Sequence, residues 1–236
     1  MRHRRRGIAL LALGVIAVLA GPALSACSSE PEESAADLLG RARTTLDDTP
    51  SVHFLLDSEG APATGTVLVG GEGDLARPAS FSGTLSVQAV GSAIDVDVVS
   101  VDGTVYAQLP FAQGFTVVDP AQFGVGDPGA LLDPDTGISP LLTSAENVKL
   151  GEEKRVDGEV VREVTADLPG DLVARALTSK DPSRPVQARL SIATDSGQLR
   201  RIVLTGPFFT AGDDATYRLQ LSDFGADVQI TAPPTS

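Results

Sequence analysis

Residues 80–108 read SFSGTLSVQAVGSAIDVDVVSVDGTVYAQ, and the spacing of apolar side chains within them decides the fold. Phe81, Gly83, Leu85, Val87 and Ala89 alternate with Ser82, Thr84, Ser86 and Gln88. Ile94, Val96 and Val98 alternate with Asp95 and Asp97, and Val105, Ala107 and Leu109 with Tyr106 and Gln108. A period of two marks a strand with one buried face. The short link Gly91-Ser92 makes the first two a hairpin. Asp102-Gly103, a stronger turn signal, adds the third. The three form an antiparallel meander.

Upstream, Ser34 is placed to cap a helix through about Asp48, with Asp37 as its capping-box partner. Leu38, Leu39, Ala42 and Leu46 share one helical face, and Pro50 stops it. Downstream, residues 120–147 are rich in turn formers. Short helical candidates lie at about 128–132 and 140–146, with a turn at Asp133-Pro134-Asp135-Thr136-Gly137 between them. Strands resume at 148–155 and 159–168 around Asp157-Gly158. A short helix at 170–178 presents Leu172, Val173, Ala176 and Leu177. Three last strands carry Val186, Ala188, Leu190 and Ile192, then Ile202 and Leu204, then Tyr217, Leu219 and Leu221, before a Pro-rich tail from Ala232. This pattern predicts a single α+β domain: one large, strongly bent antiparallel sheet with a few short helices on one face.

The first 26 residues read as a signal peptide. Arg2, Arg4, Arg5 and Arg6 precede an apolar run at 8–20 and then Gly21-Pro22. The run is short of the roughly 20 apolar residues that a spanning helix needs. It ends in Leu24-Ser25-Ala26-Cys27, the pattern of a bacterial lipoprotein signal, in which the Cys thiol is the acylated nucleophile. Ordinary cleavage after Ser25 is the competing reading, and it leaves an exposed thiol. The expected organisation is a signal peptide at 1–26, a lipidated tether at 27–33 and one domain at 34–236. A diacylglyceryl group on Cys27 would hold the domain to the outer face of the plasma membrane, or in the cell wall. Cys27 is the one cysteine, so disulfides and Cys catalysis are not expected. Without the leader the chain has 14 basic against 31 acidic residues, a net −17, which repels nucleic-acid phosphates.

Catalytic chemistry is sparse. After the leader His53 is the only histidine, and the sequence has no nucleophile elbow, phosphate loop or dinucleotide fingerprint. No enzyme activity, cofactor or metal is expected. Asp95 and Asp97 share a strand face and could serve a hydrolase, but the solvated outer face of a strand explains them better. Asp133 and Asp135 resemble the start of a calcium loop that lacks its later ligands, so a turn is preferred. Asp213-Asp214 marks a hairpin tip. One oddity remains: aromatics are only 4% of the chain, with no Trp. Either the core is filled with aliphatic side chains, or sheet and helices leave an aliphatic cavity. Composition leaves both open.

The order of landmarks resembles the LppX/LprG family of lipoproteins from mycobacteria and related actinobacteria, and the LprG branch most. The resemblance runs from Cys27 to Pro233-Pro234. It is carried by Gly91-Ser92-Ala93-Ile94-Asp95 and by Val101-Asp102-Gly103-Thr104-Val105-Tyr106-Ala107. Leu132-Asp133-Pro134-Asp135-Thr136-Gly137-Ile138 and Leu221-Ser222-Asp223-Phe224-Gly225 add to it, as does Val228-Gln229-Ile230. It implies a half-barrel-like sheet with helices on its concave face, enclosing an apolar cavity for lipids or glycolipids with two or three acyl chains. It also implies carriage from the plasma membrane toward the outer envelope. For the LprG branch it implies phosphatidylinositol mannosides, lipoarabinomannan and a major-facilitator efflux transporter. Phe224, near a Gly where relatives can carry Trp, and the acidic balance set this chain apart and leave the headgroup open.

On this reading the cavity walls are Leu85, Val87, Ile94, Val96, Val98, Val105, Leu190, Ile192, Ile202, Leu204, Leu219 and Leu221, each on the apolar side of its strand. Two other readings stay in view: a scaffold or accessory lipoprotein with a filled core, serving a membrane transporter or cell-wall enzyme, and an envelope hydrolase built on its acids.

Overall fold

The alternation at residues 80–108 extends across an eleven-stranded sheet. The computed structural model describes residues 33–235 apart from 90, 124 and 157. The lipidation expected at Cys27 and the signal peptide and tether before residue 33 lie outside the described residues.

Helix α1 (Ala35–Asp48) opens the domain, with Ser34 at its N-cap accepting a hydrogen bond from the Asp37 amide. Leu38, Leu39, Ala42 and Leu46 form its buried face. Six strands follow: β1 (Ser51–Glu59), β2 (Val67–Ala76), β3 (Ser80–Ala89), β4 (Ser92–Val101), β5 (Thr104–Gln108) and β6 (Thr116–Val118). Five more are β7 (Glu146–Val156), β8 (Glu159–Leu168), β9 (Val186–Ala193), β10 (Leu199–Gly206) and β11 (Ala215–Ser222). Their spatial order is β6-β5-β4-β3-β2-β1-β11-β10-β9-β8-β7. Two meanders thus wind outward in opposite directions from a central pairing of β1 with β11. The sheet is strongly curved but not closed, since β6 and β7 are both edges. Edge β7 is irregular and charged along Glu152, Glu153, Lys154 and Arg155, which discourages pairing with another chain.

The expected elements are present, and others join them. Strands β2 and β6 go beyond the sequence reading, and β1 extends from the strand that begins near His53. In β2, Gly70, Gly71 and Gly73 break the alternation that would have revealed it. The helical candidates resolve into a 3-10 turn at Pro128–Leu132, α2 (Ser139–Thr143), which stops short of 146 because Glu146 begins β7, and α3 (Gly170–Ala176); a further 3-10 turn lies at Pro120–Phe123. Asp133 is a turn residue: its Oδ1 accepts from the amides of Asp135 and Thr136 and from the Thr136 hydroxyl, and these bonds hold its carboxyl below the ordinary range.

The order of strands sets two rims. The lower rim carries the β2–β3 turn at Arg77, the β4–β5 turn at Asp102-Gly103 and the β9–β10 turn at Asp195. Asp102 and Gly103 both have positive φ, the turn that matches strand twist. The upper rim carries loops 60–66, 109–115 and 207–214. The segment 119–145 leaves β6 at the lower rim and reaches β7 at the upper one, so it must cross the concave face. Arg77 ties this arrangement to α1: its guanidinium donates to the carbonyls of Leu46 and Thr49 at the helix C-terminus. Asp47 accepts from the Ser139 hydroxyl of α2 at 2.5 Å.

Two details explain local packing. Gly73 faces Gly83 across β2 and β3, and the Phe81 ring occupies the space their side chains would fill. Phe81 is fully buried and lies 5.5 Å from Phe54, centroid to centroid. At the other end of the strands, a bulge in the β2–β3 pairing between Leu68 and Gly70 disturbs the ladder. The Leu68 carbonyl there accepts from the Tyr217 hydroxyl of β11, which reaches over β1. Phe208 and Phe209 pack around the Tyr217 ring at 5.0 and 5.4 Å. Burial pushes the Tyr217 phenol well above its ordinary range.

Adding one methyl at Gly83 (Gly83→Ala) drives a Cβ into the Glu72 carbonyl and the Phe81 ring, and should cost about 1–3 kcal/mol. Urea unfolding should show a lower midpoint at unchanged slope. Tyr217→Phe leaves the Leu68 carbonyl unpaired and should cost about 1–3 kcal/mol. The phenol has a sign of its own. It ionises near pH 10 in the unfolded chain and higher in the folded one, so its stabilisation is complete below about pH 10 and lost as pH rises beyond it. Wild type should therefore lose stability more steeply than Tyr217→Phe above that pH, as read by denaturant midpoints across the range.

Candidate functional site

The concave face of the sheet and the segments above it do not meet everywhere. An inner chamber is floored by Phe54 and Leu56 of β1, Leu190 of β9, Ile202 and Leu204 of β10, and Tyr217 and Leu219 of β11. Leu131, Leu141 and Leu142 of the crossing segment and Val173, Ala176 and Leu177 of α3 and its C-cap form the roof. The centre of a water-sized sphere has about 90 Å³ of room there. An outer chamber, with about 290 Å³ by the same measure, is walled by β3, β4 and β5 through side chains such as Val87, Val96, Val98 and Val105. Leu68, Leu85, Val125 and Pro128 belong to the walls of both, so the two chambers adjoin across one partition.

Alternation explains the floor. Alternate residues of the strands point inward, and most of those that line the chambers are Leu, Ile and Val. The roof depends on the crossing. Pro at the starts of Pro128–Leu132 and near the start of α2 favours single turns that present Leu131 and Leu141 downward. An isolated antiparallel bridge between Val125 and Leu177 joins the crossing to the end of α3.

Polar groups in these walls are few, and the two buried deepest are hydrogen-bonded. Asp127 accepts from the Ser100 hydroxyl at 2.6 Å and from the Gly129 amide at 2.8 Å. Tyr217 spends its hydroxyl on Leu68. Among the described residues of the outer chamber no wall side chain is charged. Among the described residues these walls gather no cluster of acids, bases or metal ligands. They can hold alkyl chains.

Of the residues chosen by alternation, Leu85 lies at the shared partition. Val87, Ile94, Val96, Val98 and Val105 line the outer chamber, and Leu190, Ile202, Leu204 and Leu219 the inner one. Ile192 and Leu221 are placed elsewhere. They lie on the same face but nearer the lower rim, where they are 0% and 2% exposed within the packed core rather than facing a chamber. The Thr45 hydroxyl of α1 reaches the Ser196 carbonyl at that end, so the helix covers it. The roof residues and Phe54, Leu56 and Leu68 were not chosen from sequence. A Val52, Phe54, Leu56 alternation was there to be read, though Leu55 blurs it.

The acids weighed as catalytic groups lie on the other face of the sheet. Asp95 accepts from the Ser86 hydroxyl and Asp97 from that of Thr84, both cross-strand neighbours and both exposed. His53 Nδ1 lies 2.8 Å from its cross-strand partner Asp74 on that same face.

Comparison with known proteins agrees with this architecture. The chain is 28% identical over 239 residues to the lipoarabinomannan carrier protein LprG of Mycobacterium bovis, a match covering 100% of this chain and 98% of the relative. It is 28% identical over 247 residues to the protein of that name from Mycolicibacterium smegmatis, covering 99% of each. Among solved structures, LprF from Mycobacterium bovis superposes with a TM-score of 0.66 at 18% identity, over 84% of this chain and 96% of that one. LppX from Mycobacterium tuberculosis does so with 0.59 at 15% identity, over 84% and 98%. They share its fold. The model of the LppX_LprAFG lipoproteins matches residues 34–230, and the chain belongs to that family.

Proposed function

We propose that this protein is a lipid-anchored carrier that houses the acyl chains of a two- or three-chain lipid or glycolipid in its adjoining chambers. The observation that carries this is the pair of aliphatic chambers sharing Leu68, Leu85, Val125 and Pro128, with Asp127 and Tyr217 already hydrogen-bonded. Each methylene kept from water contributes about 0.8 kcal/mol, so a long chain is held by contact area alone. Exchange with a bilayer is a different matter. Lipid tails are as apolar as these walls, so transfer between the two is near neutral and reversible, as a carrier needs. Relatives named lipoarabinomannan carriers support glycolipid cargo.

The remaining assignments rest on sequence pattern and family. Cys27 carries a diacylglyceryl anchor, with residues 1–26 removed as signal peptide and 27–33 serving as tether. The domain then works at the outer face of the plasma membrane and passes lipid outward, with a major-facilitator efflux transporter as partner. No catalytic step is assigned to it.

Mass spectrometry of organic extracts tests the central claim, using protein made without its acyl anchor in a native-like host. Near-stoichiometric multi-acyl lipid is expected. Leu85→Trp places an indole at the shared partition and should lower bound lipid severalfold while the domain stays folded. Lipid-free wild type, or unchanged lipid in Leu85→Trp, would move the reading to an accessory lipoprotein with a filled core.

A further inference from the structure

A third void adjoins the two chambers and differs from them in kind. Its walls come from the start of β2, the 3-10 turn at Pro120–Phe123, the chain that follows α3 and the loop after β10. The centre of a water-sized sphere has about 240 Å³ of room there. Leu68 belongs to its walls and to those of both chambers. Thr66 is shared with the outer chamber and Tyr217 with the inner one. Two aliphatic chambers and one further space therefore meet at a single residue. A diacyl lipid branches in the same way, with two chains and a headgroup leaving one glycerol.

The third space is polar where the chambers are not. Thr66, Gln122 and Lys180 on its walls are exposed, and Thr178 is half-buried. Among the described residues these four side chains have no hydrogen-bond or ion-pair partner in the protein. Lys180 is the one cation among the described residues that wall the three spaces. Its amide donates to the Pro207 carbonyl at 2.8 Å, which holds its backbone against the loop after β10. The acids beside it in sequence and on that loop are engaged elsewhere. Asp181 accepts from the Ser183 amide and hydroxyl, Asp213 bonds with Thr210, and Asp214 pairs with Arg184. In a chain of 31 acidic and 18 basic residues, a cation left without a carboxylate beside such a void stands out.

We infer that this pocket holds the headgroup of the bound lipid, and that Lys180 selects headgroups carrying a net negative phosphodiester. The inference rests on the carrier reading above. A phosphodiester is attached directly to glycerol. With the glycerol at the Leu68 branch, its charge falls within the third space. An ammonium bound to a phosphate oxygen makes a charge-assisted hydrogen bond, roughly twice as strong as a neutral one. Thr66, Gln122 and Thr178 offer further donors to the same oxygens. A neutral headgroup would fit the space but would leave the ammonium to water and gain nothing from it. The aliphatic walls do not distinguish the two, and the acidic surface works against an anion. A preference for the anion therefore needs a local source, and Lys180 is placed to supply it.

The anchor-free protein keeps the whole compact unit from Glu33 onward, so it serves for the test. It is equilibrated with vesicles holding equal amounts of phosphatidylglycerol and phosphatidylcholine with the same acyl chains. The protein is then re-isolated and its extracted lipid measured by mass spectrometry. Matched chains cancel what the chambers contribute. Wild type should take up phosphatidylglycerol severalfold over phosphatidylcholine, and high salt should weaken that preference. Lys180→Gln should remove most of it with total lipid unchanged, and Lys180→Arg should retain it. Arg189→Gln removes the same charge from the convex face, where Arg189 is exposed between Thr165 and Val203, and should leave the preference intact. Equal uptake by wild type overturns the inference and keeps the carrier. So does a preference that survives Lys180→Gln, or one that Arg189→Gln also abolishes. Uptake of neither lipid overturns both.

Discussion

The first and last strands of the domain meet in the middle of the sheet, and the rest of the structure depends on that pairing. β1 and β11 run together from His53↔Ser222 to Glu59↔Thr216. Arg218 reinforces the ladder with ion pairs to Asp57 and Glu59. Each meander alone would leave an inner edge and an uncovered apolar face. Joined, they make one curved surface with its aliphatic side turned inward. The joining contacts lie about 160 residues apart in sequence, so the surface cannot form until the chain is nearly complete.

Once the sheet is curved, its concave face needs cover, and the chain supplies little. α1 and the short turns of the crossing segment seal the lower rim, where Arg77, Asp47 and Ser139 bind them to one another. Toward the upper rim the cover is a few single turns. Aromatic side chains occupy the two ends, Phe54 with Phe81 below and Tyr217 with Phe208 and Phe209 above. Phe54 and Tyr217 face Leu221 and Ser58 on neighbouring strands, four residues apart along β1, or about 13 Å. Leu, Ile and Val fill that interval. The low aromatic content is thus a matter of place as well as amount: rings brace the ends, and smooth aliphatic walls lie between.

Much of this was legible in sequence because strand alternation is a local signal. The meander at 80–108, the last three strands and the buried face of α1 follow from periods of two and 3.6. So did ten residues of the chamber walls. What was not legible depends on distance. Ile192 and Leu221 alternate as faithfully as Leu190 and Leu219, and only the position of α1 over the lower rim separates core from chamber. Strand β2 is hidden by glycines whose reason lies in the neighbouring strand: Gly73 and Gly83 make room for Phe81. The roof belongs to a segment that reads as turns, and its route across the concave face follows from β6 and β7 being opposite edges.

Charge follows the same geometry. Polar and ionisable side chains occupy the convex face, where Asp95, Asp97, His53 and Arg218 bond across strands. The concave face admits Asp127 and Tyr217 only with their hydrogen bonds filled. A polar group there without a partner would cost a few kcal/mol and would also mark a fixed point along an otherwise uniform wall. Uniformity matters for a binding surface that recognises alkyl chains. Contact energy then scales with the length buried and scarcely with register, so a chain can slide as well as sit. On the proposed carrier reading, discrimination between lipids therefore falls to the headgroup rather than to these uniform walls.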